Sequence, residues 1–199
     1  MTLTEDRSAT QLDARHAMIV SQLRTSGVNE PWVLTAMAGV AREDFVPAAM
    51  RDAAYIDRAI ALGNGRFLAA PLVHARMLAE AAPTSADKAL LVGETNGYLA
   101  ALLRPLVGSL DCVEPAAVAG LAGQGDYSLV VVDGAVEVFP ETLGAQLSES
   151  GRIVTGQVLR GVSRLATGCK TGGAVSLLAV AELGVPALPE FAAPKRWSF

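Results

Sequence analysis

Leu12, His16, Ile19 and Leu23 recur at helical spacing and Gly27 follows as a stop, so the opening stretch is expected to be a helix with these four residues on its inner face. Asn29 is the expected cap of a second helix, with Pro31 in its first turn and Val33, Leu34 and Met37 on its apolar side. A third helix opens at Pro71, with Leu72, Ala75, Leu78 and Ala79 inward. From Lys88 the period changes. Short runs of Val and Leu at Lys88–Val92, Ser109–Val113, 128–132 and 151–155 alternate with helical stretches at 99–106 and after Pro140, where Leu143 and Leu147 carry the apolar side. Near-continuous apolar runs of this kind belong to parallel strands covered on both faces. Two further runs, 162–166 and 174–180, flank the Gly-rich 168–173, which suits an antiparallel hairpin. The expected fold is α/β: a mostly parallel sheet finished by an antiparallel C-terminal hairpin. With no repeat or linker in the pattern, 1–199 reads as one domain, with a helical and loop unit (1–82) packed on a core (83–199).

Composition narrows this picture. The 199 residues are 51% hydrophobic and only 18% charged, with a mean hydropathy of +0.36, yet the longest apolar runs are strand-sized and too short to span a bilayer. The polar, acidic segment 1–7 lacks the pattern of a signal peptide, so a cytoplasmic protein with no membrane partner is expected. Cys112 and Cys169 have no metal-motif spacing and read as ordinary thiols. A net charge of −4 without a basic block argues against a nucleic-acid surface, because phosphate neutralisation drives such binding.

The chemistry-bearing feature is the run Leu90-Leu91-Val92-Gly93-Glu94-Thr95-Asn96-Gly97-Tyr98, a strand entering a helix through a Gly-containing turn. Such turns bring backbone N–H groups close to a ligand, and they also serve plain packing. Glu94 brings a negative charge to this turn, to cap the helix that follows or to sit near a cationic ligand group, capping being the plainer role. His74 has no acid beside it in the sequence and reads as a packed or surface histidine rather than a base, as does His16. Asp133 stands at a strand end, where ligands meet open α/β sheets, and a turn-forming Asp-Gly pair explains it equally well.

An ordered series of segments widens the reading: Arg42-Glu43-Asp44-Phe45-Val46-Pro47, Ala54-Tyr55-Ile56-Asp57-Arg58, Leu62-Gly63-Asn64-Gly65 with Pro71, then Gly93 to Tyr98. Tyr127 to Val132, Pro140-Glu141-Thr142-Leu143 and Leu188-Pro189-Glu190-Phe191 complete it. From Met18 onward this order resembles the protein-L-isoaspartate O-methyltransferases. The resemblance implies a Rossmann-like class I methyltransferase fold, S-adenosylmethionine as cofactor, and a protein or peptide substrate methylated on an isoaspartyl carboxylate. Residue by residue, it carries the cofactor turn onto Gly93, Thr95 and Gly97, the ribose-binding acid onto Glu114, and the substrate segment onto Gly65 and Arg66.

The chain departs from that family pattern in several places. Phe67 stands where the family carries Thr, Ala69 where it carries a functional Ser, Arg66 where it carries Gln, Leu91 where an acid is common, and Thr95 at the central glycine of the turn. Arg66 is suited to pair with a substrate carboxylate, or equally to stand solvated on its loop. Only twelve residues, 115–126, separate Glu114 from Tyr127, where the family places a helix, a third strand and the adenine-contacting loop. A full βαβ unit needs about 30 residues, so the third strand is expected to be missing. No catalytic residue is assigned, and the departures point to an impaired enzyme, a pseudoenzyme. An active divergent methyltransferase and a non-catalytic nucleoside-binding or protein-interaction module stay open. Losing an outer strand leaves Ser109–Val113 at a sheet edge, which favours a two-fold homodimer unless 115–125 folds back over that edge.

Overall fold

The computed structural model describes residues 3–194; positions 1–2 and 195–199, including the start of the segment 1–7, lie outside the described residues. Helix α1 (Leu3–Met18) runs on through one wider π turn, Ile19–Leu23. The helix is where the pattern placed it, but its face is turned. Leu12 is 57% exposed and His16 is exposed, while Ala14 and Arg15 are half-buried and Met18 is buried. Arg15 sets this rotation by donating to the Tyr55 hydroxyl at 2.7 Å, the Ala38 carbonyl at 3.1 Å and Glu43 at 3.1 Å, and the π turn brings Leu23 back to the inside.

Helix α2 (Pro31–Gly39) buries Val33, Leu34 and Met37 as expected. Its cap position is Glu30 rather than Asn29, whose backbone N–H donates to the Glu30 carboxylate at 3.1 Å. A small hairpin that the pattern did not suggest follows, β1 (Ile60–Gly63) with β2 (Arg66–Leu68). Its two linking residues, Asn64 at φ 50° and Gly65 at φ 74°, both take the positive φ that a tight hairpin turn demands. Helix α3 (Pro71–Ala81) buries Val73, His74, Ala75, Met77 and Leu78, whereas Leu72 and Ala79 are only half-buried; the inner face is wider than expected and turned toward His74.

The main sheet is built from β3 (Lys88–Val92), β4 (Ser109–Val113), β5 (Tyr127–Val136), β6 (Leu147–Leu159), β7 (Val162–Thr171) and β8 (Ala174–Ala181), in the order β4-β3-β5-β6-β7-β8. β3 pairs parallel with β4 and β5, β5 pairs parallel with β6, and β7 alone runs against its neighbours. Helices α4 (Tyr98–Leu103) and α5 (Glu141–Gln146) complete the regular elements, α4 ending three residues before the expected 106. The hairpin turn is also shorter than 168–173. Gly172 and Gly173, at φ 59° and 81°, make the reversal alone, so Gly168 lies inside β7 paired with Leu177.

One face of the sheet, with Leu91, Leu129, Val131 and Val154, packs against the helical unit and α4. The other, with Leu90, Val92, Val130, Val132 and Ile153, packs under Val118, Leu143 and Phe191. Val118 comes from the shortened connection, which makes a 3-10 turn over Pro115–Gly120 and is tied to α5 by the Thr142 hydroxyl donating to the Val118 carbonyl at 3.0 Å. The connection therefore seals a face and leaves the edge alone. No strand flanks β4 on its outer side among the described residues, and Ser109 and Asp111 there are exposed.

Asp87, 5% exposed at the foot of β3, fixes the opposite end of the sheet. It receives Arg152 at 2.8 and 2.7 Å, the Ser128 hydroxyl at 2.7 Å and the Thr84 backbone at 2.8 Å, while Arg152 also donates to the Ala81 and Ala82 carbonyls ending α3. Arg152 holds the Asp87 carboxyl far below its ordinary value against the upward push of burial, helped by Ser128 and Thr84. A depressed native pKa contributes stability that is complete above the unfolded value of about 3.9 and is lost as pH falls below it. Asp87→Ala is expected to lower unfolding stability by about 3 kcal/mol at pH 7, and urea titrations below about pH 4 should show the wild-type advantage shrinking.

Candidate functional site

The carboxyl ends of β3, β4 and β5 open into a cleft of about 270 Å³. Parallel strands bring all their carboxyl ends to one rim, so residues far apart in sequence meet there. Gly93 follows β3, Glu114 follows β4, and Asp133 sits where β5 slips register against β6 between Val131 and Ala135, an irregularity that re-aims the side chain. The β1–β2 hairpin overhangs the cleft with Gly65, Arg66 and Phe67, and Asp44 and Phe45 line it from the 3-10 turn Arg42–Phe45. The last wall is 186–188, tied to β5 by Ala135 N–H to Pro186 O at 2.8 Å and Leu188 N–H to Ala135 O at 2.9 Å.

Five of the six site residues named from the sequence line this one cleft: Gly65, Arg66, Gly93, Gly97 and Glu114. Thr95 does not. It lies exposed on the outer side of the turn, where its carbonyl accepts from Arg104 at 3.0 Å. The glycines at 93 and 97 answer first to packing: a Cβ on Gly97 would sit 3.1 Å from the Glu94 carbonyl oxygen, and one on Gly93 would sit 3.1 Å from Asp133 Cβ. Glu94 lines the cleft, and no side-chain hydrogen bond caps α4, so its expected capping role is corrected.

Two charged pairings were not legible beforehand. Arg66 spans the cleft mouth to Glu190, with Nη2–Oε1 at 2.6 Å and Nη1–Oε2 at 3.3 Å, so the group suited to a substrate carboxylate already holds one. His74, fully buried, has an acid after all: its Nε2 lies 3.0 Å from Asp133 Oδ1. Behind it, Arg42 is also fully buried, with Nη1 3.3 Å from His74 Nδ1, Nε donating to Ala54 O at 2.7 Å, Nη2 donating to Ala69 O, and its guanidinium 5.0 Å from the Tyr98 ring centre. Burial pulls the Arg42 pKa down, while Tyr98, Asp133 and Tyr55 oppose that shift.

These contacts fix a tautomer. A guanidinium only donates, so His74 Nδ1 must accept and Nε2 carries the proton that is donated to Asp133. The histidine is thus a neutral spacer between a buried cation and a carboxylate in the cleft wall. Phe67 is 47% exposed beside the cleft and Ala69 is 2% exposed, so this segment presents no hydroxyl.

Residues 14–114 match the sequence profile of Protein-L-isoaspartate(D-aspartate) O-methyltransferase (PCMT), which stops where the shortened connection begins. A protein-L-isoaspartate O-methyltransferase from Koribacter versatilis (strain Ellin345) is 36% identical over 179 positions, covering 77% of this chain and 80% of that protein. The aligned span takes in more of the relative than of this chain, so part of the relative has no counterpart here. Protein-L-isoaspartate O-methyltransferase 1 of Rhodopseudomonas palustris (strain HaA2) is 32% identical over 165 positions, covering 70% and 67%. Among solved structures, a Plasmodium falciparum PCMT in complex with S-adenosyl-L-homocysteine superposes with a TM-score of 0.68 at 16% identity, covering 88% of this chain and 98% of that one; this likeness is one of fold.

Because every polar partner of Arg42 is buried, the truncation Arg42→Leu is expected to destabilise the protein by about 3 kcal/mol in urea unfolding, through carbonyls and an imidazole left unpaired. Arg42→Lys should recover only part of this, since one ammonium cannot reproduce the planar fork that reaches two carbonyls and a ring nitrogen.

Proposed function

The chain belongs to the protein-L-isoaspartate O-methyltransferase family, and from that membership we propose that it holds S-adenosylmethionine in the cleft but methylates isoaspartyl carboxylates poorly. The observation that carries this reading is the Arg66–Glu190 pair. It occupies the one basic side chain that lines the cleft among the described residues, on a segment where Phe67 and Ala69 offer no hydroxyl to orient an acceptor oxygen.

The cleft suits the cofactor's parts. Glu114 is positioned to accept from adjacent ribose hydroxyls, the Gly93–Gly97 turn lets backbone approach, and Asp133 offers a carboxylate to the cationic portion. The bound cofactor supplies an electrophilic methyl group. The protein's part is to bind, to exclude water and to align the acceptor, and here the weak step is the last. The same cofactor class is represented by the S-adenosyl-L-homocysteine in the Plasmodium falciparum structure. Pro115 alone extends the wall beyond Glu114, which supports a shallower adenine contact. The open outer edge of β4, which Pro115–Gly120 leaves unsealed, supports two-fold self-association through that strand. The absence of any helix long and apolar enough to cross a membrane among the described residues accords with a cytoplasmic setting.

Two measurements test the reading. S-adenosylhomocysteine should raise the melting temperature, as any ligand of the native state does, while labelled methyl transfer to an isoaspartyl peptide stays far below that of an intact family member. Unchanged melting at millimolar ligand would reject the cofactor site, and transfer at a full family rate would reject the impairment. Glu190→Gln frees Arg66 and should lower KM for that peptide by about threefold, in keeping with a partly exposed ion pair worth under about 1 kcal/mol. Self-association predicts a mass by light scattering above the 20.6 kDa monomer that rises with concentration.

A further inference from the structure

Four carboxylates, Asp44, Glu94, Glu114 and Asp133, line the cleft, and Arg66, the one cation beside them among the described residues, is taken up by Glu190. Of these acids Asp133 is the one held in place. Its Oδ1 receives the His74 Nε2 proton, and its Oδ2 has no hydrogen-bond partner among the described residues. The support behind it is rigid because it is buried: His74 cannot turn without breaking its contact to Arg42, and Arg42 cannot move without uncovering the Ala54 and Ala69 carbonyls.

Were His74 the reacting group, it would face the cleft with the acid behind it; here the order is reversed, and the carboxylate, 19% exposed, is the part that reaches the opening. A carboxylate with one oxygen anchored and the other free is a receptor for positive charge, and its worth grows where water is partly excluded.

Resting on the cofactor reading above, we propose that Asp133, positioned by His74 and Arg42, makes the cleft selective for a sulfonium over a neutral thioether, so that the chain binds S-adenosylmethionine in preference to S-adenosylhomocysteine. The two ligands share the nucleoside, the ammonium and the carboxylate and differ by the methyl group and its positive charge on sulfur. Their affinity ratio therefore isolates the recognition of that charged centre. His74 and Arg42 are positioning residues, acting through Asp133.

Calorimetric titration of the full chain with S-adenosylmethionine, S-adenosylhomocysteine and 5′-methylthioadenosine tests this. The wild type is expected to favour the sulfonium by about tenfold over S-adenosylhomocysteine, a size ordinary for one well-placed opposite charge. In Asp133→Asn, which keeps an acceptor for His74 but loses the charge, the preference should fall to within about twofold while 5′-methylthioadenosine binds as before. His74→Gln, whose amide can still donate toward Asp133, should retain the preference and His74→Leu should lose it, again with 5′-methylthioadenosine unchanged; a merely structural role would move all three ligands together. Should the Leu variant fail to fold, Asp133→Asn decides alone. Equal affinities in the wild type, or a preference surviving in Asp133→Asn, overturn the proposal and leave the cofactor site standing. Binding of none of the three ligands to the wild type would overturn both.

Discussion

A guanidinium keeps its charge at any working pH, so a fully buried arginine must find a partner for each donor or destabilise the fold that surrounds it. Arg42 satisfies each of its three side-chain nitrogens, and stacks its guanidinium, with pieces from four places: the Ala54 carbonyl after a 3-10 turn at Ala48–Ala53, the Ala69 carbonyl after β2, the His74 ring on α3, and the face of Tyr98 at the start of α4. One cation thereby pins the N-terminal unit onto the sheet and sets where the overhanging hairpin ends. The same contacts choose the His74 tautomer and, through it, the orientation of Asp133. Fold and site share a single electrostatic constraint.

The shortened connection after β4 shows how a sheet tolerates a lost unit. What has to be preserved is coverage of the apolar faces, because Leu90, Val92, Val130 and Val132 would otherwise meet water. Val118, on a six-residue 3-10 turn, supplies that coverage together with Leu143 and Phe191. The edge is a weaker demand, since backbone groups there can be hydrated and the exposed Asp111 discourages indiscriminate pairing. A minimal connection can replace a cover without replacing a strand.

Charge in the cleft is organised on two levels. At its mouth Arg66 and Glu190 neutralise each other across 124 residues of sequence, tying the hairpin to the C-terminal segment. Within the cleft, Glu114 after β4 and Asp133 on β5 flank the carboxyl end of β3, and no other basic side chain lines the cleft among the described residues. A site arranged this way presents an acidic lining whose one cation is already paired, a surface better matched to a cation than to an anionic acceptor.

The sequence by itself determined what is local. Period and turn chemistry placed the strands and helices of the core and the reversed strand, while the family resemblance implied the missing third strand and a shared site for Gly93, Gly97 and Glu114, which meet at one rim because parallel strands share a carboxyl end. The β1–β2 hairpin was also within reach, since Asn64-Gly65 is the local signature of its turn. The tertiary structure alone decided the rest. Leu12 turned outward because Arg15 found Tyr55 and Glu43 forty and twenty-eight residues away. His74 gained an acid 59 residues distant, and Arg66 met Glu190 before any substrate could. Periodicity reports which side of an element is apolar, whereas the pairing of charges depends on which groups the packed chain removes from water together, and that is a property of the folded whole.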